Sequence, residues 1–330
     1  MHVDVLGGSG FIGTRLCHRL TIASRCSFRI VDKVASGDFP AATVIADVRS
    51  LEELSDAINP GSVLVNLAAE HRDDVRPISL YDEVNVEGAR NVCRVAVQRG
   101  VRTIIFTSSV AVYGFAEVGA DESSPIAPFN EYGRTKAEAE AVYKQWQAED
   151  PGTRTLVIVR PTVVFGERNR GNVFNLLKQL TSRLFVMVGG GENRKSIAYV
   201  ENVAAFIEHC LGFGPGVHLY NYVDKPDYSM NELTSRVLTI LGKDPRIWFR
   251  VPYELGLMLG SALDLLSRIS GKRFALSAIR VKKFCSNSVF ETSVAITGFI
   301  PPVPLEEGLR RTVYTEFVAP RRDESLFFSE

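Results

Sequence analysis

The first half of the chain alternates short apolar segments with helical patterns, and this alternation is the strongest constraint on its fold. Short strands separated by single helices are typical of a parallel sheet that helices cover on both faces. We therefore expect an α/β architecture with a doubly wound sheet. The predicted strands are Val3–Leu6, Phe28–Asp32, Thr43–Ala46, Val63–Ala68, Thr103–Thr107 and Leu156–Arg160. The predicted helices are Phe11–Ile22, Leu51–Ile58, Val84–Gln98 and Tyr132–Glu149.

The alternation of strands and helices becomes less regular after Arg160. This change indicates a second, smaller unit interleaved with the first. We expect a nucleotide-binding domain over residues 1–166, with 197–224 returning to it, and a substrate domain over 167–196 and 225–330. In this part we predict one further strand, His218–Val223. We also predict five helices: Val173–Ser182, Tyr199–Leu211, Asn231–Leu241, Tyr253–Ser270 and Leu305–Phe317.

A glycine-rich loop follows the first strand and opens the first helix. Its spacing is Gly-x-x-Gly-x-x-Gly, with Gly7, Gly10 and Gly13, and Phe11 and Ile12 lie inside it. Glycine lets the backbone approach a phosphate, and the helix N-terminus offers amides and a positive dipole end. Asp32 ends the second strand, where a carboxylate binds ribose hydroxyls and repels a 2′-phosphate. The loop thus predicts a Rossmann-like site for NAD rather than NADP.

Other strand ends on the same edge of the sheet are further candidates for cofactor contacts. Asp47 and Val48 follow the third strand and could reach the adenine. Leu67, Ala68 and Ala69 follow the fourth and are small enough for close passage of the backbone. Each of these residues could equally be an ordinary strand end.

Tyr132 and Lys136 lie four residues apart and therefore share one helix face. A free tyrosine has a pKa of about 10, which is too high for a base at neutral pH because the phenol stays protonated. A nearby ammonium would lower that pKa, so we expect Tyr132 to act as a general base tuned by Lys136. Ser109, just past the fifth strand, lies on the edge of the sheet that lines the ligand crevice.

Composition excludes several other classes of function. The 330 residues carry 38 Lys plus Arg and 38 Asp plus Glu, and this zero net charge argues against nucleic acid as a partner. The five cysteines are widely spaced and show no metal-binding pattern, which is typical of a cytoplasmic protein. The sequence has neither a signal-peptide pattern nor an apolar run long enough for a membrane span.

Several motifs occur together in one order: the glycine loop, Asp32, Asn66-Leu67-Ala68-Ala69, Ser-Ser-Val-Ala-Val-Tyr-Gly from Ser108, Tyr132-x-x-x-Lys136 and Arg-Pro-Thr-Val-Val-Phe-Gly from Arg160. In these motifs the chain resembles the extended short-chain dehydrogenase/reductase family, in its nucleotide-sugar epimerase/dehydratase branch. The resemblance implies Ser109, Tyr132 and Lys136 as the catalytic triad. It also implies Pro161 and Thr162 as cofactor contacts, no metal, and a homodimer. An Asp-Glu pair, typical of dehydratases, is replaced by Val110-Ala111, which argues against dehydration.

Within this branch, the segments starting at Ala68, Phe165, Tyr220 and Ile279 are similar to bacterial 4-epimerases that act on N-acetylhexosamine carried by undecaprenyl diphosphate. That similarity implies interconversion of N-acetylglucosamine and N-acetylgalactosamine on a lipid carrier through a 4-keto sugar, for O-antigen or related glycans. Alternatives are a soluble UDP-sugar 4-epimerase and a membrane-associated hydroxysteroid-type dehydrogenase. A non-catalytic scaffold is disfavoured because all three members of the triad are present.

The resemblance also suggests substrate contacts. Arg194 matches the family's arginine at the substrate diphosphate, and we expect Arg168, Arg170 and Arg280 to be further candidates, since arginine suits phosphate. Asn172 and Ser288 complete the expected substrate set; Ser288 would leave room for an N-acetyl group. Val163 stands where soluble UDP-sugar epimerases carry Asn, which favours a different carrier.

One segment departs from the charge balance. Residues 265–290 contain no acidic residue but six cations: Arg268, Lys272, Arg273, Arg280, Lys282 and Lys283. The preceding helix carries a stripe of leucines, and a basic amphipathic stretch can lie on an anionic membrane surface. We expect this segment to dock a cytoplasmic protein on the inner leaflet of the membrane. The alternative is an ordinary core helix followed by a solvated loop.

Overall fold

The structure is a computed structural model, and it describes residues 1–22, 26–72, 75–115, 118–181, 185–247, 249–270, 277–320 and 325–328. The strands are β1 (His2–Leu6), β2 (Ser27–Asp32), β3 (Thr43–Ile45), β4 (Val63–Asn66), β5 (Thr103–Thr107), β6 (Thr155–Pro161), β7 (Val163–Phe165), β8 (Met187–Val188), β9 (Arg194–Tyr199), β10 (Gly216–Tyr222), β11 (Asp224–Ser229) and β12 (Arg250–Val251). The helices are α1 (Phe11–Ile22), α2 (Leu51–Ala57), α3 (Ser79–Tyr81), α4 (Gly88–Gln98), α5 (Glu131–Ala148), α6 (Asn172–Thr181), α7 (Val200–Cys210), α8 (Met230–Ile240), α9 (Tyr253–Ser270), α10 (Ala278–Cys285) and α11 (Leu305–Val313).

Seven parallel strands form the central sheet, in the order β10-β6-β5-β4-β1-β2-β3. Every residue of β4 and β6 is buried, as expected for strands covered on both faces. Helices α2, α4 and α5 pack on one face, and α1 and α7 on the other. The doubly wound, Rossmann-like fold predicted from the sequence is therefore confirmed, and so are its six N-terminal strands, with β4 ending at Asn66 rather than Ala68.

A smaller unit packs beside the carboxyl ends of these strands. Its three-stranded sheet has the order β11-β9-β7, and its core includes residues of α6, α8 and α11. The segment Arg194–Tyr199 is not among the strands predicted from the sequence, and it forms β9. Since Val163 pairs with Ile197, β7 and the end of β9 belong to this small sheet.

Helix α9 packs through glycines, and its apolar stripe points outward. A Cβ on Gly256 would lie 2.5 Å from Val188 Cγ1, and one on Gly260 would lie 2.7 Å from the Ala278 amide nitrogen. These contacts require glycine and bring the backbone of α9 against β8 and α10. The exposed Leu255, Met258, Leu259 and Leu266 lie outside these contacts. Among the described residues, no helix combines the length and the apolarity needed to span a bilayer.

Candidate active site

The glycine loop lies at the carboxyl edge of the central sheet, where β1 and β4 end side by side. Gly7 has a φ of +72°, and a Cβ on it would lie 2.6 Å from the Ala68 amide nitrogen. A Cβ on Gly13 would lie 2.5 Å from Gly8 Cα. Both positions therefore require glycine, and the loop turns tightly from β1 into α1.

The residues of this loop fit a dinucleotide. Helix α1 begins at Phe11, so the amides of its first turn, which includes Ile12, have no acceptor within the helix. A Cβ on Gly10 would meet only the Gly7 carbonyl oxygen, at 3.2 Å. The Asp32 carboxylate ends β2 beside the loop: its Oδ2 accepts a hydrogen bond from the Ser9 amide at 3.0 Å. Free amides and a carboxylate thus lie where a diphosphate and a ribose would be bound.

The other predicted cofactor contacts lie on the same edge of the sheet. The Ala68 amide donates to Asn66 Oδ1 at 3.0 Å, which fixes the course of Leu67, Ala68 and Ala69 after β4. Pro161 ends β6, and the Thr162 amide donates to the Tyr222 carbonyl at 3.1 Å. Val48 is buried in the core, and the Asp47 carboxylate pairs with Arg49 at 2.6 Å.

Ser109 and Tyr132 are brought together by the close approach of two segments. Ser109 caps the short 3-10 helix Val110–Tyr113, since its Oγ accepts from the Ala111 amide at 3.1 Å. Asn130 caps α5 by accepting from the Gly133 amide at 2.9 Å. A Cβ on Gly133 would lie 2.4 Å from the Ala111 carbonyl oxygen. Only glycine permits this contact, which sets the first turn of α5, including Tyr132, against Ser109.

The pKa of Tyr132 moves in the opposite direction from our expectation. Burial raises it to about 12, and the side-chain hydrogen bond with Ser109 lowers it only in part. Burial likewise lowers the pKa of Lys136 to about 7, while the neighbouring Glu140 raises it. Both shifts favour the neutral forms, because desolvation penalises each charge. The Lys136 ammonium nitrogen lies 2.8 Å from the Thr107 carbonyl oxygen, so it is held at the end of β5.

A buried polar network that the sequence analysis missed supports these residues. The Glu140 carboxylate accepts two hydrogen bonds from Arg160, at 2.8 and 2.6 Å, and one from Ser108 Oγ at 2.6 Å. Arg160 Nη1 also donates to the Tyr113 hydroxyl at 2.6 Å, and this hydroxyl donates to Asn221 Oδ1 at 2.8 Å. The network ties β6, α5 and β10 together beneath Ser109. Its only sequence signal is the presence of charged residues within apolar segments.

Asn85 is a second residue missed from the sequence. It is buried in the π-helical segment Asp82–Glu87, which connects α3 to α4. Its Oδ1 accepts a hydrogen bond from the Glu70 amide at 2.9 Å. Its Nδ2 donates to the Glu70 carbonyl at 3.0 Å and to Thr135 Oγ1 at 2.9 Å. Asn85 thus connects the loop after β4 to the helix that carries Tyr132.

Two arginines expected at the substrate diphosphate contact carboxylates instead. The Arg168 guanidinium pairs with Asp38 at 2.9 and 3.0 Å, and its Nε donates to the Ser325 carbonyl at 2.7 Å. It lines a cavity of about 430 Å³ between α1 and α11. Arg170 pairs with Glu316 at 2.9 Å. These partners are distant in sequence, and the role of both arginines at a substrate diphosphate stays a prediction.

The remaining predicted substrate residues fall into three groups. Arg194 and Ser288 are adjacent, since the Ser288 amide donates to the Arg194 carbonyl at 2.9 Å. The Arg194 guanidinium is half exposed and lies 3.4 Å from Glu232. Asn172 is exposed at the start of α6. The side chains of Arg268 and Arg280, with residues 272 and 273, lie outside the described part of the chain.

Within the described residues, no group of three or more His, Cys, Asp or Glu side chains could hold a metal ion. The five cysteines are free, and three of them are buried. Burial raises the pKa of the Cys93 thiol to about 12, so this thiol stays protonated and unreactive at neutral pH.

Comparison with known proteins agrees with this geometry. Residues 3–221 match the model of the NAD dependent epimerase/dehydratase family. The chain is 48% identical over 332 residues to the N-acetyl-alpha-D-glucosaminyl-diphospho-ditrans,octacis-undecaprenol 4-epimerase of Escherichia coli O157:H7, covering 100% of this chain and 99% of that protein. It is 27% identical to the UDP-glucose 4-epimerase of Vibrio cholerae, covering 93% and 92% of the two chains.

A solved structure supports the fold. The UDP-glucose 4-epimerase of Thermus thermophilus superposes with a TM-score of 0.73 at 22% identity, over 97% of this chain and 100% of that one. The match to the family model covers the glycine loop, Asp32, Ser109, Tyr132 and Lys136. The chain therefore belongs to the NAD dependent epimerase/dehydratase family, and its cofactor is NAD.

Proposed function

We propose that this protein is a 4-epimerase that interconverts N-acetylglucosamine and N-acetylgalactosamine on an undecaprenyl-diphosphate carrier. The observation that carries the proposal is the 48% identity, over the whole chain, to an enzyme named for that reaction. The contact between Ser109 and Tyr132, beside the glycine loop, supports it, because an epimerase of this kind needs a proton acceptor next to the dinucleotide site.

In the proposed reaction, Tyr132 takes the proton of the sugar 4-hydroxyl and later returns it to the same oxygen. Ser109 Oγ hydrogen-bonds the reacting oxygen and holds it beside the phenol. NAD, which the glycine loop and Asp32 would hold, would supply a hydride acceptor for C4 that can return the hydride to the opposite face, and a positive ring that favours the phenolate. Because hydride and proton are both returned, no oxidant is consumed. The sugar turns over between the two half-reactions as a 4-keto sugar.

Burial of Tyr132 and Lys136 suits this chemistry. A dry site strengthens the effect of any positive charge placed beside the phenol, so the pKa of about 12 is the starting point from which ligand binding lowers it. Lys136, held at the Thr107 carbonyl, acts as a positioning residue on the same helix face.

We further propose that the protein associates peripherally with the inner leaflet, through the outward face of α9. The exposed Leu255, Met258, Leu259 and Leu266 support this assignment, because a core helix would bury such a stripe. A substrate whose lipid stays in the bilayer requires an enzyme that works at its surface. Family membership also leads us to propose a homodimer, which light scattering after size exclusion would test.

The decisive experiment incubates the purified protein, without added NAD, with undecaprenyl-diphospho-N-acetylglucosamine and separately with UDP-N-acetylglucosamine. We expect conversion of the lipid-linked sugar, without net change in NAD. Turnover of the UDP-sugar alone would make the protein a soluble-substrate epimerase, and net NADH formation would make it a dehydrogenase. We expect Tyr132→Phe to lose at least a thousandfold in kcat while retaining its NAD.

A further inference from the structure

Two exposed aromatic side chains flank the proposed catalytic residues. Phe115 follows the segment that begins at Ser109, and Phe129 comes directly before the cap of α5. A Cβ on Gly114 would lie 2.0 Å from the Ala127 carbonyl oxygen, so the two segments touch. The rings of Phe115 and Phe129 lie 4.5 Å apart, yet the residues are 60% and 45% exposed. Paired phenylalanines this exposed indicate a binding surface rather than core packing.

Two lysines of α10 extend over these rings. Lys282 Nζ lies 5.8 Å from the centroid of Phe115, and Lys283 Nζ lies 5.3 Å from that of Phe129. A cation over an aromatic face is stabilised by the ring quadrupole, and each ammonium has three donors to offer. Positive charge and apolar surface thus meet at one place, beside Ser109 and Tyr132.

This cluster adjoins the rest of the C-terminal helices. Lys282 also lines a cavity of about 410 Å³, together with the turn 189–191 and Tyr253 at the start of α9. Helix α10 packs on α9 through the contact between Gly260 and Ala278. The cluster is therefore connected through α10 to α9, the helix that carries the outward apolar stripe.

We propose that Phe115, Phe129, Lys282 and Lys283 bind the diphosphate and the first isoprene units of a polyprenyl-diphosphate sugar. This inference rests on the proposed function and assigns the part of the site that recognises the carrier. The lysines match the charge of the diphosphate, and the phenylalanine rings match the apolar isoprene units that follow it. A nucleotide carrier would place a polar ribose there instead, so the cluster favours the lipid.

The test measures binding of sugar-free undecaprenyl diphosphate in neutral detergent micelles, which removes any contribution from an anionic membrane. The first variant is Phe115→Ser with Phe129→Ser, and the second is Lys282→Gln with Lys283→Gln. Matched controls are Ile300→Ser, a still more exposed apolar residue elsewhere, and Lys178→Gln on α6. We expect Kd to rise about tenfold in both double variants and in neither control.

Turnover of the lipid-linked sugar is measured in parallel. We expect KM to rise about as much as Kd, with kcat within about twofold, because none of the four side chains takes part in the chemistry. Unchanged Kd and KM in both double variants would overturn the inference. If the wild type binds undecaprenyl diphosphate through these side chains but does not epimerise its sugar-bearing form, the proposed function fails and the carrier site stands.

Discussion

Arg160 and Glu140 form a two-pronged ion pair in the centre of the protein, with both side chains only 1% exposed. The pair lies beneath the proposed site: Glu140 also accepts from Ser108, and it raises the pKa of the neighbouring Lys136. A charge buried this deeply is tolerated only while its partner is present, because neither group can be solvated by water.

We therefore expect Arg160→Met to lower the free energy of unfolding by about 3 to 5 kcal/mol. Adding Glu140→Gln to that variant should restore part of the loss, since it removes the uncompensated charge. Arg310 and Glu307 provide a matched control, because they form the same two-pronged contact, at 2.7 and 2.8 Å, on the exposed face of α11. Arg310→Met should cost less than about 1 kcal/mol in urea unfolding. Equal losses at the two sites would contradict the argument.

Lys136 gives a prediction for the pH dependence of stability. Its pKa is about 7 in the folded protein and about 10.4 in an unfolded chain. Between these values the unfolded state binds more protons, so stability rises with pH; the cost of burying the ammonium is fully present only well below pH 7. From pH 7 to 9 the wild type should therefore gain up to about 2 kcal/mol relative to Lys136→Met.

Urea unfolding at the two pH values measures that difference. Lys144→Met is the control, because Lys144 is on the same helix and lies 3.6 Å from Glu140 but is 41% exposed. The free energy of unfolding of Lys144→Met should differ from that of the wild type by the same amount at pH 7 and at pH 9. If the difference in free energy of unfolding between Lys136→Met and the wild type is also the same at pH 7 and pH 9, the titration of Lys136 lies outside this range.

Asp32 should determine which dinucleotide is bound. Its carboxylate lies beside the glycine loop and already accepts from the Ser9 amide. We expect Asp32→Ala to weaken NAD binding about 10- to 100-fold, by loss of charge-assisted hydrogen bonds to the ribose, and to abolish discrimination against NADP. Ser9→Ala, which removes only the hydroxyl bond to the Val34 carbonyl, is the control and should retain the preference. Equilibrium titration of both cofactors decides; an unaltered preference in Asp32→Ala would assign selectivity to other residues.

The sequence was sufficient for features that depend on local pattern. Apolar strands, the glycine loop and the ends of parallel strands together predicted where Asp32, Ser109 and Tyr132 lie. The sequence was insufficient where ion-pair partners come from distant segments. No pattern near Arg168 or Arg170 predicts that they pair with Asp38 and Glu316. Tyr132 illustrates a different limit, because the ammonium four residues away was visible but the burial that dominates its pKa was not.

Helix α9 shows why amphipathicity alone left two interpretations open. A leucine stripe predicts that one face avoids water, but it does not say whether protein or lipid covers that face. In the structure Gly256 and Gly260 make the contacts with β8 and α10 and the leucines stay exposed, which supports the proposal that a membrane covers them. Gly256 and Gly260, spaced four residues apart, were the unrecognised sequence signal of the packed face.

That orientation predicts binding to membranes through α9. We expect the triple variant Leu255→Ser, Met258→Ser and Leu259→Ser to lose most sedimentation with phosphatidylethanolamine vesicles containing phosphatidylglycerol. Its free energy of unfolding should change little, since the three residues are 47%, 69% and 49% exposed. The control, Ile296→Ser with Ile300→Ser, removes two still more exposed apolar residues and should sediment like the wild type. If both variants sediment fully, α9 is not the docking face. If the triple variant unfolds at markedly lower urea, the stripe is buried in an interface between protein chains.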